Sequence, residues 1–247
     1  MDALYDTIGI NYADLRRPDP RIGRLIDDAL GSAVTVLNVG AGTGSYEPAD
    51  RDVTAVDPSL EMLGKRPTDA ARSVQAVAEA LPFDDGSFDA AMAVLTVHHW
   101  SNKPAGLREV RRVTRGPIVL LTYDPAQRPW LTDYLPALAK LDEAQMPGMD
   151  AYGEWLGPVA VTPVPIPYDC SDGFLHAYWR RPGAYLDARL RTGISSFWKL
   201  DRLEAGLERL RQDIESGAWR QRYADLLELD AYDAGYRLVV SPGETTA

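Results

Sequence analysis

Residues 34–59 read VTVLNVGAGTGSYEPADRDVTAVDPS. The stretch opens with a β-branched apolar run, residues 34–39, short enough and apolar enough for a strand buried on both faces of a parallel sheet. It ends at Gly40, Gly42 and Gly44, spaced G-x-G-x-G. Glycines at a strand end allow positive φ and let a ligand approach with no Cβ in the way. A second short strand follows at residues 53–56, and Asp57 stands at its C-terminal end. An acid at that point of a βαβ unit can accept hydrogen bonds from both hydroxyls of a ribose. Strand, glycine turn, short helix, strand and acid together read as a nucleoside-binding half-site.

The glycine spacing separates two kinds of nucleoside ligand. A dinucleotide fingerprint, G-x-G-x-x-G, would put its third glycine at position 45, which is Ser45. Only Ser45, Tyr46 and Glu47 precede Pro48, so little helix is available to offer its N-terminus to a pyrophosphate. A nucleoside without phosphates has no need of that dipole. The stretch resembles motif I and its acidic partner in the class I S-adenosylmethionine-dependent methyltransferases, in the small-molecule branch. The resemblance implies that Asn38, Gly40, Ala41, Gly42, Gly44, Asp57 and Pro58 line the methionine and ribose portions of S-adenosylmethionine. A glycine turn in a generic α/β protein is the structural alternative for G-x-G-x-G alone.

Residues 78–100, AEALPFDDGSFDAAMAVLTVHHW, resemble the family's second signature, the loop over the adenine and the fourth strand. Relatives often carry an Asp where this chain has Val77, which leaves the adenine to Ala78 and Glu79, with Thr96 at the end of the strand. The segment YDTIGINYADLRRPDPRI resembles the N-terminal helices of small-molecule methyltransferases, where a tyrosine closes over the cofactor. Tyr5 and Tyr12 are the candidates, and packing of the two helices against the body is the alternative.

Elsewhere along the chain the same alternation recurs. Residues 1–30 read as helical, with Leu4, Ile8, Ile22, Leu25, Ile26 and Leu30 able to line one side and Gly31 as the stop. Ser59 can cap a helix to about Gly64, and residues 73–77 make a third strand. Residues 88–97 make a fourth strand after the Asp84–Asp85–Gly86 turn. Ser101 or Asn102 caps a helix whose Leu107, Val110 and Val113 face the sheet, with Gly116 as its end, and residues 117–123 make strand five. A helix is expected over residues 130–146. Residues 159–167 alternate β-branched residues with prolines, which confines them to an edge strand or a loop. The family resemblance gives the fold class: α/β, a Rossmann-like seven-stranded sheet of order 3-2-1-4-5-7-6. Residues 236–241 would be its antiparallel strand seven. The seventy residues before that strand exceed what a hairpin needs. An Asp201–Glu204 capping box, a helix with Leu203, Leu207, Leu210 and Ile214 closed by Gly217, and a further helix with Trp219, Tyr223, Leu226 and Leu227 make them a helical cap. The expected division is an N-terminal lid at 1–30, the cofactor-binding domain at 31–167 plus 234–247, and the inserted cap at 168–233. The cap covers the active-site edge or serves as a dimer surface.

Composition bounds the function. The chain has 247 residues, 45% hydrophobic and 25% charged, with a net charge of −10. That charge disfavours a polyanionic partner, so no nucleic acid is expected. No stretch approaches a membrane span, and the first residues have no basic n-region or apolar h-region. A single cysteine, Cys170, allows no internal disulfide. These features fit a cytoplasmic monomer or homodimer. Three histidines, one cysteine and no H-x-x-x-H pair make no metal site.

Methyl transfer from a sulfonium needs a positioned nucleophile and sometimes a base. His98 and His99 follow strand four at the right edge, and an ordinary histidine titrates near pH ~6.5. Alternation from the strand favours His99 by pairing it with Val97. Hydrogen bonding of either ring to a backbone carbonyl is the structural alternative. His176, Tyr178, Asp169 and Asp172 come from the cap and read equally as substrate contacts or as core and capping residues. The expectation is methyl transfer from S-adenosylmethionine to a small molecule. The Arg-to-Lys ratio of 22 to 4 and abundant Ala are associated with GC-rich bacterial genomes, where such enzymes decorate natural products. The competing readings are a cofactor-bound cyclisation without methyl transfer, a nicotinamide-dependent oxidoreductase, and a binding protein on the same fold.

Overall fold

The computed structural model describes residues 15–243, so Tyr5, Tyr12, Leu4 and Ile8 lie outside the described residues. Nine strands are described: β1 (Thr35–Val39), β2 (Asp52–Asp57), β3 (Arg72–Gln75), β4 (Ala90–Val94), β5 (Ile118–Tyr123), β6 (Ala160–Pro163), β7 (Ile166–Pro167), β8 (Ala231–Tyr232) and β9 (Tyr236–Ser241). Seven form one sheet of order β3-β2-β1-β4-β5-β9-β6. The first five are parallel, and β9 runs antiparallel to β5 on one side and β6 on the other. The expected topology is therefore present, with β9 in the place of strand seven.

The apolar strands pack both ways, as two covered faces require. Val36, Met92, Val119 and Leu121 join Ile22, Ile26 and Leu30 of the helix Pro20–Leu30 in one core. Leu37, Ala91, Ala93, Ile118 and Leu120 join Leu107, Val110 and Val113 of the helix Lys103–Val113 in another. On Pro20–Leu30 the stripe runs at every fourth residue, and Leu25 falls outside it and is exposed. Gly31 ends that helix at φ 61°, as expected.

Several elements are shorter than the sequence implies, each for a local reason. Strand four stops at Val94 because Leu95 turns into the left-handed region at φ 51°. Val97–His99 is then a single 3₁₀ turn. Strand three ends at Gln75. The helix expected over 130–146 is two helices, Leu131–Tyr134 and Ala137–Gln145, because Leu135 before Pro136 leaves the α region. The helix capped by Asn102 ends at Val113. Gly116 serves another purpose, since a Cβ there would lie 2.2 Å from the Asp89 carbonyl oxygen. No Asp201–Glu204 capping box forms. Helix Glu204–Ser216 starts two residues later than that box implies, with Leu203 at the cap and Arg202 at φ 62°. Gly217 closes it in the αL conformation. The next helix is only Ala218–Arg222, followed by a 3₁₀ turn.

The insertion leaves the sheet after β6 and returns at β9. The short pair β7–β8 holds its two ends together, with Ile166 opposite Tyr232. It has its own core, in which Tyr178, Tyr185, Phe197, Leu210 and Trp219 surround Trp130 and Leu138 from the β5–β6 connection. A buried polar network ties the insertion to the rest. Asp172, 0% exposed, takes Arg16 Nε at 2.5 Å and the Tyr46 hydroxyl at 2.9 Å. Asp19, equally buried, caps Pro20–Leu30, pairs with Arg21 and accepts from the Ser171 N–H. Those bonds outweigh the burial that works to raise the Asp19 carboxyl, and hold it well below the usual carboxylate range. Among the described residues no helix is long and apolar enough to cross a membrane.

Candidate active site

The site is built at the C-terminal ends of β1, β2 and β4, the edge at which open α/β sheets bind ligands. All three glycines after β1 have positive φ: Gly40 71°, Gly42 52° and Gly44 94°. Gly40 and Ala41 donate to the Val56 carbonyl at 2.8 and 2.9 Å, which folds the turn back over the end of β2. A Cβ on Gly40 would lie 2.1 Å from Thr96 Oγ1, so Thr96 fills the space under the turn.

Asp57 is 8% exposed, and its carboxylate holds the turn in place. Oδ2 accepts from Gly42 N and Oδ1 from Ser59 N, both at 2.8 Å. Each oxygen has taken one donor and keeps capacity for another. Burial pushes the Asp57 carboxyl up, against the opposing pull of the Ser59 and Gly42 N–H groups and the Arg66 charge. Ser59 then caps the helix Leu60–Gly64 by accepting from Met62 N. Pro58 and Leu60 are exposed beside it, and so is Val77 just beyond β3, whose Gln75 pairs in register with Asp57. Where relatives often carry an acid, the chain thus presents an apolar side chain.

Beneath the turn lies a buried ion pair. Arg66 grips Glu47 in two-pronged fashion, Nη1 to Oε1 at 3.0 Å and Nη2 to Oε2 at 2.7 Å. Asn38 Nδ2 donates to the same Glu47 at 2.9 Å, leaving Asn38 Oδ1 buried without a partner. Arg66 also occupies the space a Cβ on Gly44 would need, 2.9 Å from Nη1. Sequence reasoning missed Glu47 and Arg66, whose pairing spans 19 residues and leaves no local signature.

On the other flank, Ala78 is buried. A Cβ on Gly106 would meet it at 3.2 Å and the Trp100 ring at 2.6 Å, so Trp100 and the helix pack closely against this loop. Glu79 Oε1 accepts from Asn102 N at 2.8 Å and Ser101 Oγ at 2.9 Å. Burial works to raise the Glu79 carboxyl, but these bonds outweigh it and hold it below its usual range.

His98 and His99 sit together, ring centroids 3.9 Å apart at 45°. Because they lie on a 3₁₀ turn, strand alternation does not decide which ring faces the site. Burial depresses both, His98 well below the ordinary histidine value and His99 to about 4, with Lys199 and Lys103 adding to it. Both rings are therefore neutral at pH 7. The cap histidine, His176, is 1% exposed and stacks on Tyr123 at 5.4 Å, and its Nε2 has no partner. Asp172 lies in the ion network, Asp169 pairs with Arg21, and Tyr178 sits in the cap core.

These residues fit S-adenosylmethionine. Two acceptor positions on Asp57 suit a ribose diol, the exposed apolar residues beside it suit a base, and the orphaned Asn38 Oδ1 suits a donor.

Comparison with known proteins agrees. The family model "Methyltransferase domain" matches residues 37–117. A crystal structure of a protein from Anabaena variabilis, assigned as a methyltransferase of an antibiotic biosynthesis pathway, superposes with a TM-score of 0.84. It is 35% identical, over 92% of this chain and 98% of that one. The demethylmenaquinone methyltransferase of Renibacterium salmoninarum is 37% identical over 134 residues, which is 47% of this chain and 56% of that protein. The malonyl-[acyl-carrier protein] O-methyltransferase of Erwinia pyrifoliae is 41% identical over 104 residues, 37% of this chain and 38% of that protein. The chain thus spans about half or less of the length of these two curated relatives. With the whole-length match in Anabaena, the seven-stranded sheet and the glycine turn locked to Asp57, the chain belongs to the class I S-adenosylmethionine-dependent methyltransferase family.

Proposed function

We propose that the protein transfers a methyl group from S-adenosylmethionine to a small-molecule acceptor. The observation that carries this reading is the Asp57 carboxylate, fixed by Gly42 N and Ser59 N with one acceptor position left on each oxygen. When bound, S-adenosylmethionine supplies an electrophilic methyl on its sulfonium. The chain's own part is to place the acceptor in line and, where the nucleophile carries a proton, to take it. Gly40, Gly42, Gly44, Asn38 and Ala41 would cradle the methionyl portion. Asp57 and Pro58 would hold the ribose, and Ala78, Glu79 and Thr96 would flank the adenine. Tyr5 and Tyr12 are proposed to close over it. His99, with His98 against it, is the proton acceptor in this reading. Its depressed value makes it a weak base, suited to an acceptor whose proton is already acidic. The inserted helices are the substrate cap. The Anabaena neighbour's antibiotic pathway supports a place in bacterial natural-product metabolism.

The test is calorimetric titration with S-adenosylhomocysteine, with NAD in comparison. Micromolar binding of the first alone is expected. Asp57→Ala should weaken it by roughly tenfold to a hundredfold, the equivalent of about 1.5–3 kcal/mol for hydrogen bonds to a charged group. Unchanged affinity in that variant rules out the ribose role, and binding of NAD instead would move the protein to the oxidoreductases. Methyl label recovered in product separates transfer from a cyclisation.

A further inference from the structure

One buried carboxylate gathers three separate parts of the chain. Asp172, on the insertion, is 0% exposed. Its Oδ1 accepts from Arg16 Nε at 2.5 Å, and its Oδ2 accepts from Arg16 Nη2 at 3.3 Å and from the Tyr46 hydroxyl at 2.9 Å. Arg16 and Asp172 also pair as an isolated antiparallel bridge, and Gly173 N donates to the Leu15 carbonyl at 3.0 Å. The segment leading into the helix Pro20–Leu30 therefore lies directly on the insertion. The fit is close: a Cβ on Gly173 would stand 2.5 Å from the Leu15 carbonyl oxygen, and one on Gly193 would stand 2.9 Å from Leu15 Cβ.

Tyr46 brings in the turn after β1. It stands two residues beyond Gly44 at φ 65°, a conformation that a bulky side chain seldom takes. Such outliers persist only where the surroundings hold them. The Tyr46 ring is buried in the core that contains Ile22 and Ile26, and its hydroxyl both donates to Asp172 and accepts from Asp19 N at 3.3 Å. The next residue, Glu47, grips the Arg66 that lies under Gly44. The turn that Asp57 fixes from one side is thus fixed from the other by Asp172. Packing alone does not call for a charge, because apolar residues of similar volume often hold a buried site as well as an ion pair does. What the carboxylate adds is dependence. It is satisfied only while Arg16 and Tyr46 are both in place, and releasing either leaves a buried charge short of a donor.

We propose that Asp172 is a positioning residue that couples the cofactor turn to the insertion and to the segment before the first helix, so that cofactor binding and closure of the insertion reinforce each other. Its role rests on the methyltransferase reading. The two states are a latched one, with the Tyr46 hydroxyl on Asp172, and one in which the turn has shifted and Asp172 keeps Arg16 alone. The glycine turn selects the latched state when its ligand is in place, and the insertion selects the same state when an acceptor is seated under it. Each ligand then raises the affinity for the other by the same factor. Asp172 touches neither ligand and acts through Tyr46.

Amide hydrogen exchange read by NMR, with and without S-adenosylhomocysteine, tests this on two reporters: Gly42 N, bonded to Asp57, and Gly173 N, bonded to Leu15. In the wild type the ligand should slow both, Gly173 by about tenfold, within the usual range of coupling between sites. Tyr46→Phe keeps the ring in the core and removes the latch. It should bind S-adenosylhomocysteine about fivefold to tenfold more weakly, and the slowing at Gly173 should vanish while that at Gly42 remains. Asp172→Asn keeps an oxygen for the Tyr46 hydroxyl and should retain part of the effect, whereas Asp172→Ala should retain none. Circular dichroism checks folding, and Tyr46→Phe decides the matter where an Asp172 variant fails to fold. A ligand that slows Gly42 but not Gly173 in the wild type, or equal slowing of Gly173 in the wild type and Tyr46→Phe, overturns the proposal and leaves the methyltransferase reading standing. If the wild type does not bind S-adenosylhomocysteine, that reading falls, and the latch stands or falls on ligand-free exchange, where Tyr46→Phe must speed Gly42 and Gly173 together.

Discussion

Gly40 shows how a single atom can be excluded twice. Its φ of 71° disfavours any side chain, and Thr96 Oγ1, Cγ2 and Cβ stand 2.1–2.8 Å from where a Cβ would be. Gly40→Ala should cost about 2–4 kcal/mol in urea unfolding, combining left-handed strain with overpacking. Thr96→Ala should restore only part of the loss, because its Cβ remains 2.8 Å away. Full rescue would mean that the backbone carries no strain. At this scale much was legible. Positive φ at the three glycines, Asp57 at a strand end and Ser59 as a cap all follow from residue type and spacing. The Arg66–Glu47 pair did not, since nothing within either residue's neighbourhood marks a partner 19 positions away. Nor did Asp172, whose partners Arg16 and Tyr46 stand 156 and 126 residues off.

Helix contacts carry the next level. Gly206 lies inside the helix Glu204–Ser216, where Ala would ordinarily be favoured by up to about 1 kcal/mol. Here a Cβ would meet the Tyr134 carbonyl at 2.4 Å and Leu135 Cδ2 at 2.5 Å. Gly206→Ala should therefore destabilise by about 1–3 kcal/mol. Gly153, inside the helix Met149–Leu156, has nothing nearer than Val159 at 4.0 Å. Its alanine variant should stabilise by about 0.5–1 kcal/mol. Thermal melts of the two variants should move in opposite directions, and a shared direction would contradict the packing of the cap on 131–135. Element identity was readable from hydrophobic period, and boundaries were lost where one residue left its regular conformation: Leu95 after β4, Leu135 before Pro136, Arg202 before the long cap helix. Such departures answer to tertiary packing, which periodicity does not contain.

For the molecule as a whole, buried titratable groups set the pH response. Folding depresses His98, His99 (to about 4) and His176 (to about 3), chiefly by burial. The stability from keeping these rings neutral is full above pH ~6.5 and is lost as pH falls through the folded values. Asp142 has the opposite sign. Burial raises it to about 7, so its contribution is full below the ordinary carboxylate range and lost as pH rises through 7. Asp57, which burial also raises, shares the sign of Asp142, so three groups oppose two between pH 4 and 6.5, and unfolding free energy should rise across that interval and level off near neutrality. Denaturant unfolding at stepped pH measures it, and a decline from pH 4 to 6.5 would refute the burial assignments. His176→Gln should flatten the acidic slope. The architecture itself was legible through the family resemblance and the uninterrupted apolar strands, whereas the β7–β8 pair that ties the two ends of the insertion together was not, because Ile166 and Tyr232 stand far apart in sequence.

The position of β9 has a consequence for synthesis. Chains emerge from the ribosome N-terminus first, so β1 to β5 are complete while β9 has yet to be made. Throughout the translation of the cap, the free edge of β5 and the whole of β6 wait for a strand that arrives some seventy residues later. An unpaired edge of that apolar kind invites pairing with other chains. Pro163 and the exposed side chains of β6 then act as a guard during birth as well as in the finished sheet, and the nascent cap is the longest interval over which that guard is needed.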